Sequence, residues 1–341
     1  MLLPKALDTN ALPAFSRLPY LFRFVFGSLL GLLLCLTGSV RSLTAQERDA
    51  ADVIRVRTDL VTVPVIVTDS RGRRIVGLTQ SDFQLHAEGQ AQEIRFFATG
   101  ATRVALTFLI DTSGSAREYL GAERDAALSL LSRFGPQSEV SVLQFSDTST
   151  VVVPFSVNIQ EVRKGFDLSS VSGRHTAIFN AAMAALHSMN QRKVDATERR
   201  IVILTSGGLD TVSTVKASNV IEYARKSAVS FYVIHFPTFA PQGDRLAPRR
   251  AASGFRDLAE KTGGQYFLVG DAKSALAAHR KNDLSQVFKM IEEDLAGQYL
   301  LGFYPDGMYR DGRAHRLEVS PSKKVHGYRI KTLREGYSLA P

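Results

Sequence analysis

Three nearly unbroken apolar runs constrain the fold of this chain more than any other feature. They are Val104-Ala105-Leu106-Thr107-Phe108-Leu109-Ile110, Ile201-Val202-Ile203-Leu204-Thr205 and Val229-Ser230-Phe231-Tyr232-Val233-Ile234. A strand with one wet face alternates apolar and polar residues. A strand without that alternation is covered on both faces, as in a parallel sheet. Helical stretches separate the runs. One is predicted from about Arg117 to Phe134, with Leu120, Ala127, Leu128, Leu131 and Phe134 at helical spacings and Gly135-Pro136 as its stop. Others are predicted from Thr176 to about Met189, from Thr214 to Lys226, and from Gly254 to Thr262 before Gly263-Gly264. Val140 to Phe145 adds a strand, Thr150 to Pro154 its hairpin partner, and Gln265 to Val269 closes the series. This alternation predicts an α/β fold, a doubly wound and mostly parallel sheet, over residues 103–270. The long loop from Pro237 to Ala252, basic at Arg245, Arg249 and Arg250, has two readings: a binding element or tolerated disorder.

On either side the pattern is β. Residues 51–100 contain Leu60 to Asp69 with period two, Ser70-Arg71-Gly72 as a turn, Phe83 to His86, a turn at Ala87 to Gln90, and Gln92 to Phe97. Residues 284–341 start with a helix from about Leu284 to Ala296. Strands then follow at Gln298 to Pro305, Ala314 to Val319 and Tyr328 to Thr332. Strands before and after an α/β unit suggest an insertion, the two β portions building one small sandwich from which the α/β domain projects.

Residues 1–46 differ from the rest. Lys5, Arg17 and Arg23 precede an apolar run from Phe24 to Leu36, followed by small residues and Ser42-Leu43-Thr44-Ala45-Gln46. A basic segment, an apolar core and an Ala-ended cleavage candidate describe an export signal, placing the chain in a periplasm, cell envelope or medium. The apolar run is short for a membrane span, which needs about 20 residues. The alternative is an uncleaved N-terminal anchor, because the leading segment is long and Leu43 fits poorly three residues before the cut. Cys35 is the only cysteine and lies inside this run, so cleavage leaves no thiol. That excludes a disulfide framework, a Cys-ligated metal and a Cys nucleophile. The net charge of +9 raises nucleic acid as a partner. The basic residues are scattered, however, with no basic helix face and no aromatic-interleaved stripe, and nucleic-acid binding is not expected.

The first buried run ends in Asp111-Thr112-Ser113-Gly114-Ser115, at the carboxyl edge where doubly wound sheets place their sites. Asp111, Ser113 and Ser115 are hard oxygen donors separated by single residues. They can face one small cation such as Mg2+, leaving positions open for water or for a partner's carboxylate. The plainer alternative is a helix N-cap made by Ser113 or Ser115.

This run resembles the Asp-x-Ser-x-Ser metal-ion-dependent adhesion site of von Willebrand factor A and integrin I-type domains. In that family a Thr at the start of a later helix joins the metal. Gly173-Arg174-His175-Thr176-Ala177 resembles its surroundings, so the likeness implies Thr176 as a fourth ligand. The family usually continues with Thr-Asp-Gly-x-Asp, where this chain reads Ser206-Gly207-Gly208-Leu209-Asp210. Gly207 then stands in place of a carboxylate. Asp210 either caps the following turn or helix or replaces the lost ligand. The flanking segments resemble a VWFA-related exported family abundant in Acidobacteria. They include Asp59-Leu60-Val61, Val67-Thr68-Asp69, Asp82-Phe83, Phe96-Phe97, Leu258 to Gly264, Gln298 to Pro305 and Arg334-Glu335-Gly336-Tyr337.

The likeness implies a non-enzymatic adhesion or interaction module that holds Mg2+, or Mn2+ or Ca2+, and binds a protein offering a carboxylate. The alternative is a metal-independent structural or envelope-assembly module with a degenerate site. A hydrolase is the remote reading. The chain has no Gly-x-Ser-x-Gly elbow, no P-loop and no Gly-x-Gly-x-x-Gly after the first strand, and His175 is its one candidate base.

Overall fold

The computed structural model describes residues 59–340, apart from 102, 114–119, 133, 135, 168–172, 194, 272–283 and 323–326. Residues 1–46 with Cys35, and Gly114 and Ser115 of the acidic-hydroxyl run, lie outside the described residues. Four strands come first: β1 (Val61–Thr68), β2 (Phe83–Ala87), β3 (Gln90–Gln92) and β4 (Phe96–Thr99). The α/β portion begins with β5 (Val104–Asp111), α1 (Leu120–Leu131), β6 (Glu139–Phe145), β7 (Ser149–Ser156) and α2 (Ile159–Lys164). It continues with α3 (Ile178–Asn190), β8 (Arg199–Ser206), α4 (Ala217–Lys226) and β9 (Val229–His235). After these come β10 (Phe239–Gln242), β11 (Arg245–Pro248), α5 (Phe255–Thr262), β12 (Tyr266–Leu268) and α6 (Ser285–Ala296). Strands β13 (Gln298–Phe303), β14 (His315–Pro321), β15 (Arg329–Thr332) and β16 (Gly336–Tyr337) follow.

The central sheet has the order β12-β9-β8-β5-β6-β7, parallel throughout except for β7 at one edge. Its apolar runs are covered on both faces. Leu106, Phe108, Ile110, Ile201, Ile203 and Tyr232 pack with Phe288, Ile291 and Leu295 of α6 on one side. Leu109, Val202, Leu204 and Phe231 pack with α3, α4 and α5 on the other. Each fully buried Leu, Ile or Phe contributes about 1.5–3 kcal/mol of hydrophobic free energy, which explains why no polar alternation survives in these strands.

Helix starts differ from the periodic pattern wherever loop hydrogen bonds claim the backbone first. Thr176 donates its N–H to Thr211 Oγ1 (2.9 Å) and its carbonyl accepts the Thr211 N–H (2.8 Å), so α3 begins at Ile178. The N–H groups of Thr214 and Val215 both go to Asn180 Oδ1 (3.1 and 3.0 Å), delaying α4 to Ala217. The long loop after β9 is not open chain: β10 and β11 pair across the two-residue link Gly243-Asp244. Gly243 has φ +61°, in the first central position that a II′ turn reserves for glycine.

The outer strands form two four-stranded antiparallel sheets, β15-β1-β13-β4 and β16-β14-β2-β3, which share one apolar core. Val61, Val63, Val65 and Val67 of β1 meet Phe83, Leu85 and Ala87 of β2, with Leu301, Phe303 and Leu317 completing the layer. The stretch Gln92 to Phe97, which reads as one strand, is divided. β3 pairs with β2, β4 pairs with β13, and the chain crosses between the sheets with Ile94 buried on the way. Strands β4 and β13 bracket the α/β portion and are direct neighbours, with Thr99 opposite Tyr299 and the Gly100 N–H on the Gln298 carbonyl (2.8 Å). The α/β portion is therefore inserted into a sandwich.

Beneath the sheet, Asp294 of α6 is fully buried. It accepts hydrogen bonds from Tyr232 OH (2.7 Å), Gln265 Nε2 (2.6 Å) and Gln298 Nε2 (3.2 Å) and forms a salt bridge with Arg74. That network joins α6, the central sheet and the turn after β1.

Candidate functional site

Strand register gathers the candidate residues at one edge. Asp111 ends β5 opposite Phe145, the last residue of β6, and Ile110 lies opposite Thr205, one residue before β8 ends. Asp111 is 2% exposed. Its Oδ1 accepts the Ser113 N–H (2.9 Å) and its Oδ2 the Ser206 hydroxyl (2.6 Å). The Ser113 hydroxyl and the Gly207 amide also favour its charged form. Burial pushes the carboxyl above the usual carboxylate range, and these donors oppose the rise. Among the described residues no Lys, Arg or His pairs with this carboxylate.

The next loop is tied to the same edge. Thr112 donates its N–H (2.8 Å) and hydroxyl (3.0 Å) to the Phe145 carbonyl. The adjacent Ser146 accepts the Ala177 N–H at its carbonyl (2.8 Å) and the Gly173 N–H at Oγ (3.1 Å). Asp147 Oδ1 accepts the His175 N–H (2.6 Å). These bonds seat Thr176, 8% exposed, in the loop beside the end of β6. His175 itself is exposed.

The third loop closes the arrangement. Ser206 Oγ accepts the Gly208 N–H (3.2 Å) while donating to Asp111. Gly208 has φ +78°, and a Cβ there would lie 2.7 Å from His235 Nε2, so both backbone and space demand glycine. His235 is buried, bonded to the Gly207 carbonyl (3.1 Å) and to the Tyr266 hydroxyl, with Phe255 edge-on to its ring. Burial pulls its pKa down. Asp210 Oδ1 accepts the Ile178 N–H (2.9 Å), so Asp210 caps α3. That helix precedes Asp210 in sequence, whereas the local pattern pointed to one after it. Ser213 Oγ takes the next two amides of α3, those of Phe179 and Asn180 (3.0 and 3.2 Å).

Asp111, Ser113 and Thr176 thus stand on hydrogen-bonded loops of one sheet edge, and Ser115 lies outside the described residues. Ser206, Asp147 and His235 were not singled out by sequence. Ser206 carried the signal that picked out Asp111, a polar residue ending an apolar run. Among the described residues no three His, Cys, Asp or Glu side chains form a metal cluster. The oxygens gathered here are hydroxyls around one carboxylate. Among the described residues such a donor set is hard and free of a competing cation, which fits a divalent cation of the Mg2+ kind, with less anionic charge than two carboxylates would supply.

An α/β sheet carrying an acidic-hydroxyl loop at its carboxyl edge is the architecture of a von Willebrand factor A-type domain. Residues 106–209 match the model of the von Willebrand factor type A domain, and the chain is a protein with a domain related to that family. Solved structures that resemble it include an aerotolerance-related membrane protein from Bacteroides fragilis, with 16% identity over 56% of this chain and 98% of that one, TM-score 0.42. BatB from Bacteroides thetaiotaomicron shares 18% identity over 57% of this chain and 97% of that one, TM-score 0.42. Proximal thread matrix protein 1 from the mussel byssus, in a form with a zinc-occupied MIDAS motif, shares 16% identity over 58% of this chain and 49% of that one, TM-score 0.43. No curated protein matches the chain.

Proposed function

We propose that the chain is an exported, non-enzymatic interaction module that binds a protein ligand through a divalent cation at the carboxyl edge of its central sheet. The observation that carries this reading is the buried carboxylate of Asp111, surrounded by hydroxyl and amide donors and lacking a cationic partner among the described residues. An anion desolvated in that way is costly unless a positive charge meets it. Asp111, Ser113 and Thr176 would hold the cation, with Ser115 completing the loop. The bound ion would offer a Lewis-acidic position for a carboxylate of the partner. Ser206 and the Gly207 amide orient Asp111, and Asp210 fixes the α3 end next to Thr176. Export is assigned to residues 1–46. Among the described residues no helix is long and apolar enough to cross a membrane.

A second reading is a metal-independent scaffold. It is favoured by Gly207 where the family has a carboxylate and by the use of Asp210 as a helix cap. Calorimetric titration of Mg2+ and Mn2+ into the protein separates the two. The expected result is binding that Ser113→Ala and Thr176→Ala weaken and that Gly207→Asp strengthens by about tenfold, as an added anionic oxygen should. The metal-dependent reading is lost if the wild-type protein shows neither heat nor a metal-induced rise in melting temperature.

A further inference from the structure

The β10–β11 hairpin rises from the carboxyl end of β9 and forms a two-stranded sheet of its own. Both of its ends are pinned to the loop that carries Gly207. The Phe236 N–H donates to the Ser206 carbonyl (3.0 Å) and the Ala252 N–H to the Gly208 carbonyl (2.8 Å). The Arg249 N–H closes the base of the hairpin on the Thr238 carbonyl (2.7 Å). In an antiparallel pair, opposite residues share a face. Phe239 with Pro248, and Pro241 with Leu246, therefore make one side of the hairpin apolar. Phe239 and Leu246 are half-buried and belong to none of the three apolar cores.

Arg245, Arg249 and Arg250 on this arm are exposed, and none has an ion-pair partner among the described residues. Arg174, exposed in the loop that carries Thr176, has none either. The carboxylates near them are differently placed. Asp111 is buried, Asp147 and Asp210 already accept backbone amides, Asp271 has a partner of its own, and Asp244 sits at the hairpin tip. A guanidinium fork matches the two oxygens of a carboxylate. We propose that this arm is a docking surface for an acidic segment of a partner protein. The proposal rests on the cation reading: the segment lays one carboxylate on the ion and a second on Arg249 or Arg250, with an apolar side chain against Phe239 and Leu246. In sheet order β9 stands two strands from β5, about 10 Å at ordinary strand spacing. An extended segment covers that distance in about three residues, which sets the spacing of the two acids.

The test is a fluorescence-anisotropy titration of the full chain in millimolar Mg2+. The probes are a labelled deca-glutamate peptide, which offers carboxylates at every spacing, and its deca-glutamine counterpart. Wild type should bind the first and not the second. Arg249→Gln combined with Arg250→Gln should weaken binding about tenfold, as two ion pairs at the upper end of their usual strength would. Arg313→Gln combined with Arg316→Gln removes the same charge from exposed positions on the sandwich, and screening should hold its effect within about twofold. No binding of deca-glutamate by wild type, equal binding of deca-glutamine, or equal losses from the two double variants overturns the docking surface. Asp111→Asn keeps the two readings apart. Loss of binding joins the cation and the arm in one surface. Binding that persists and still needs Arg249 and Arg250 leaves the arm standing and removes the cation from it.

Discussion

Two buried aspartates, one beneath the central sheet and one at its carboxyl edge, have opposite surroundings. Asp294, beneath the sheet, meets the Arg74 guanidinium, a tyrosine hydroxyl and two glutamine amides. Asp111, at the carboxyl edge, meets hydroxyls and amides and, among the described residues, no cation. The first is neutralised within the molecule and holds elements together. The second is pushed above the usual carboxylate range by burial, its hydrogen-bond donors oppose that rise, and the proposed cation would supply the neutralising charge. On the proposed function, the same side chain would serve as mortar in one region and as a receptor in the other, and the arginine beside Asp294 is the charge that separates them.

Substitutions should separate the two. Asp294→Ala leaves Arg74, Tyr232 and Gln265 without this acceptor, and should cost about 3–5 kcal/mol in urea unfolding. A loss below about 1 kcal/mol would show that the network is dispensable. Asp111→Asn should leave stability in chelator within about 1 kcal/mol while lowering divalent-cation affinity by about 100-fold, because the one anionic oxygen donor is gone. If Asp111→Asn unfolds the protein as Asp294→Ala does, the contrast fails. Asp210→Ala should cost about 1 kcal/mol through the lost cap on Ile178. Its effect on cation affinity should be small, and a 100-fold loss would make Asp210 a ligand instead.

The smallest effect concerns His235, whose buried ring supports the Gly207 carbonyl beside Asp111. Burial lowers its pKa from 6.5, so below that pH the unfolded chain takes up a proton that the folded chain refuses. The stability it contributes is present above about pH 6.5 and is lost as pH falls below that value. The unfolding midpoint of His235→Gln should therefore decline less steeply between neutral pH and pH 5.5 than that of wild type. Parallel slopes would remove His235 from the support of this edge.

The sequence made the central sheet legible because two-sided burial leaves a compositional trace: β5, β8 and β9 fall on the three apolar runs. It also located Asp111, since a carboxylate ending such a run has few other uses. What it concealed were choices made by distant partners. Nothing local tells that the chain between Gln92 and Phe96 changes sheets, because the competing edges belong to β2 and to β13, about 200 residues further on. Asp210 looked forward along the chain for a helix to cap, whereas folding brings it back to Ile178. Gly243-Asp244 was hidden by Pro241 and Pro248, which argue against a strand, although Pro241 lies within β10 opposite Leu246 and Pro248 ends β11. Asp294 and Arg199 read as ordinary charged residues because burial of a charge is decided by tertiary packing alone.

The adjacency of β4 and β13 has a mechanical consequence. The α/β domain leaves the sandwich at Gly100 and returns at Gln298, residues joined by one hydrogen bond. Tension applied between Asp59 and Leu339 is therefore carried by the ladders that join β1 to β13 and β15, and passes the inserted domain by. A load that pulls on the chain would leave the carboxyl edge at rest, whereas a load delivered through a partner seated on that edge would run directly into the sandwich.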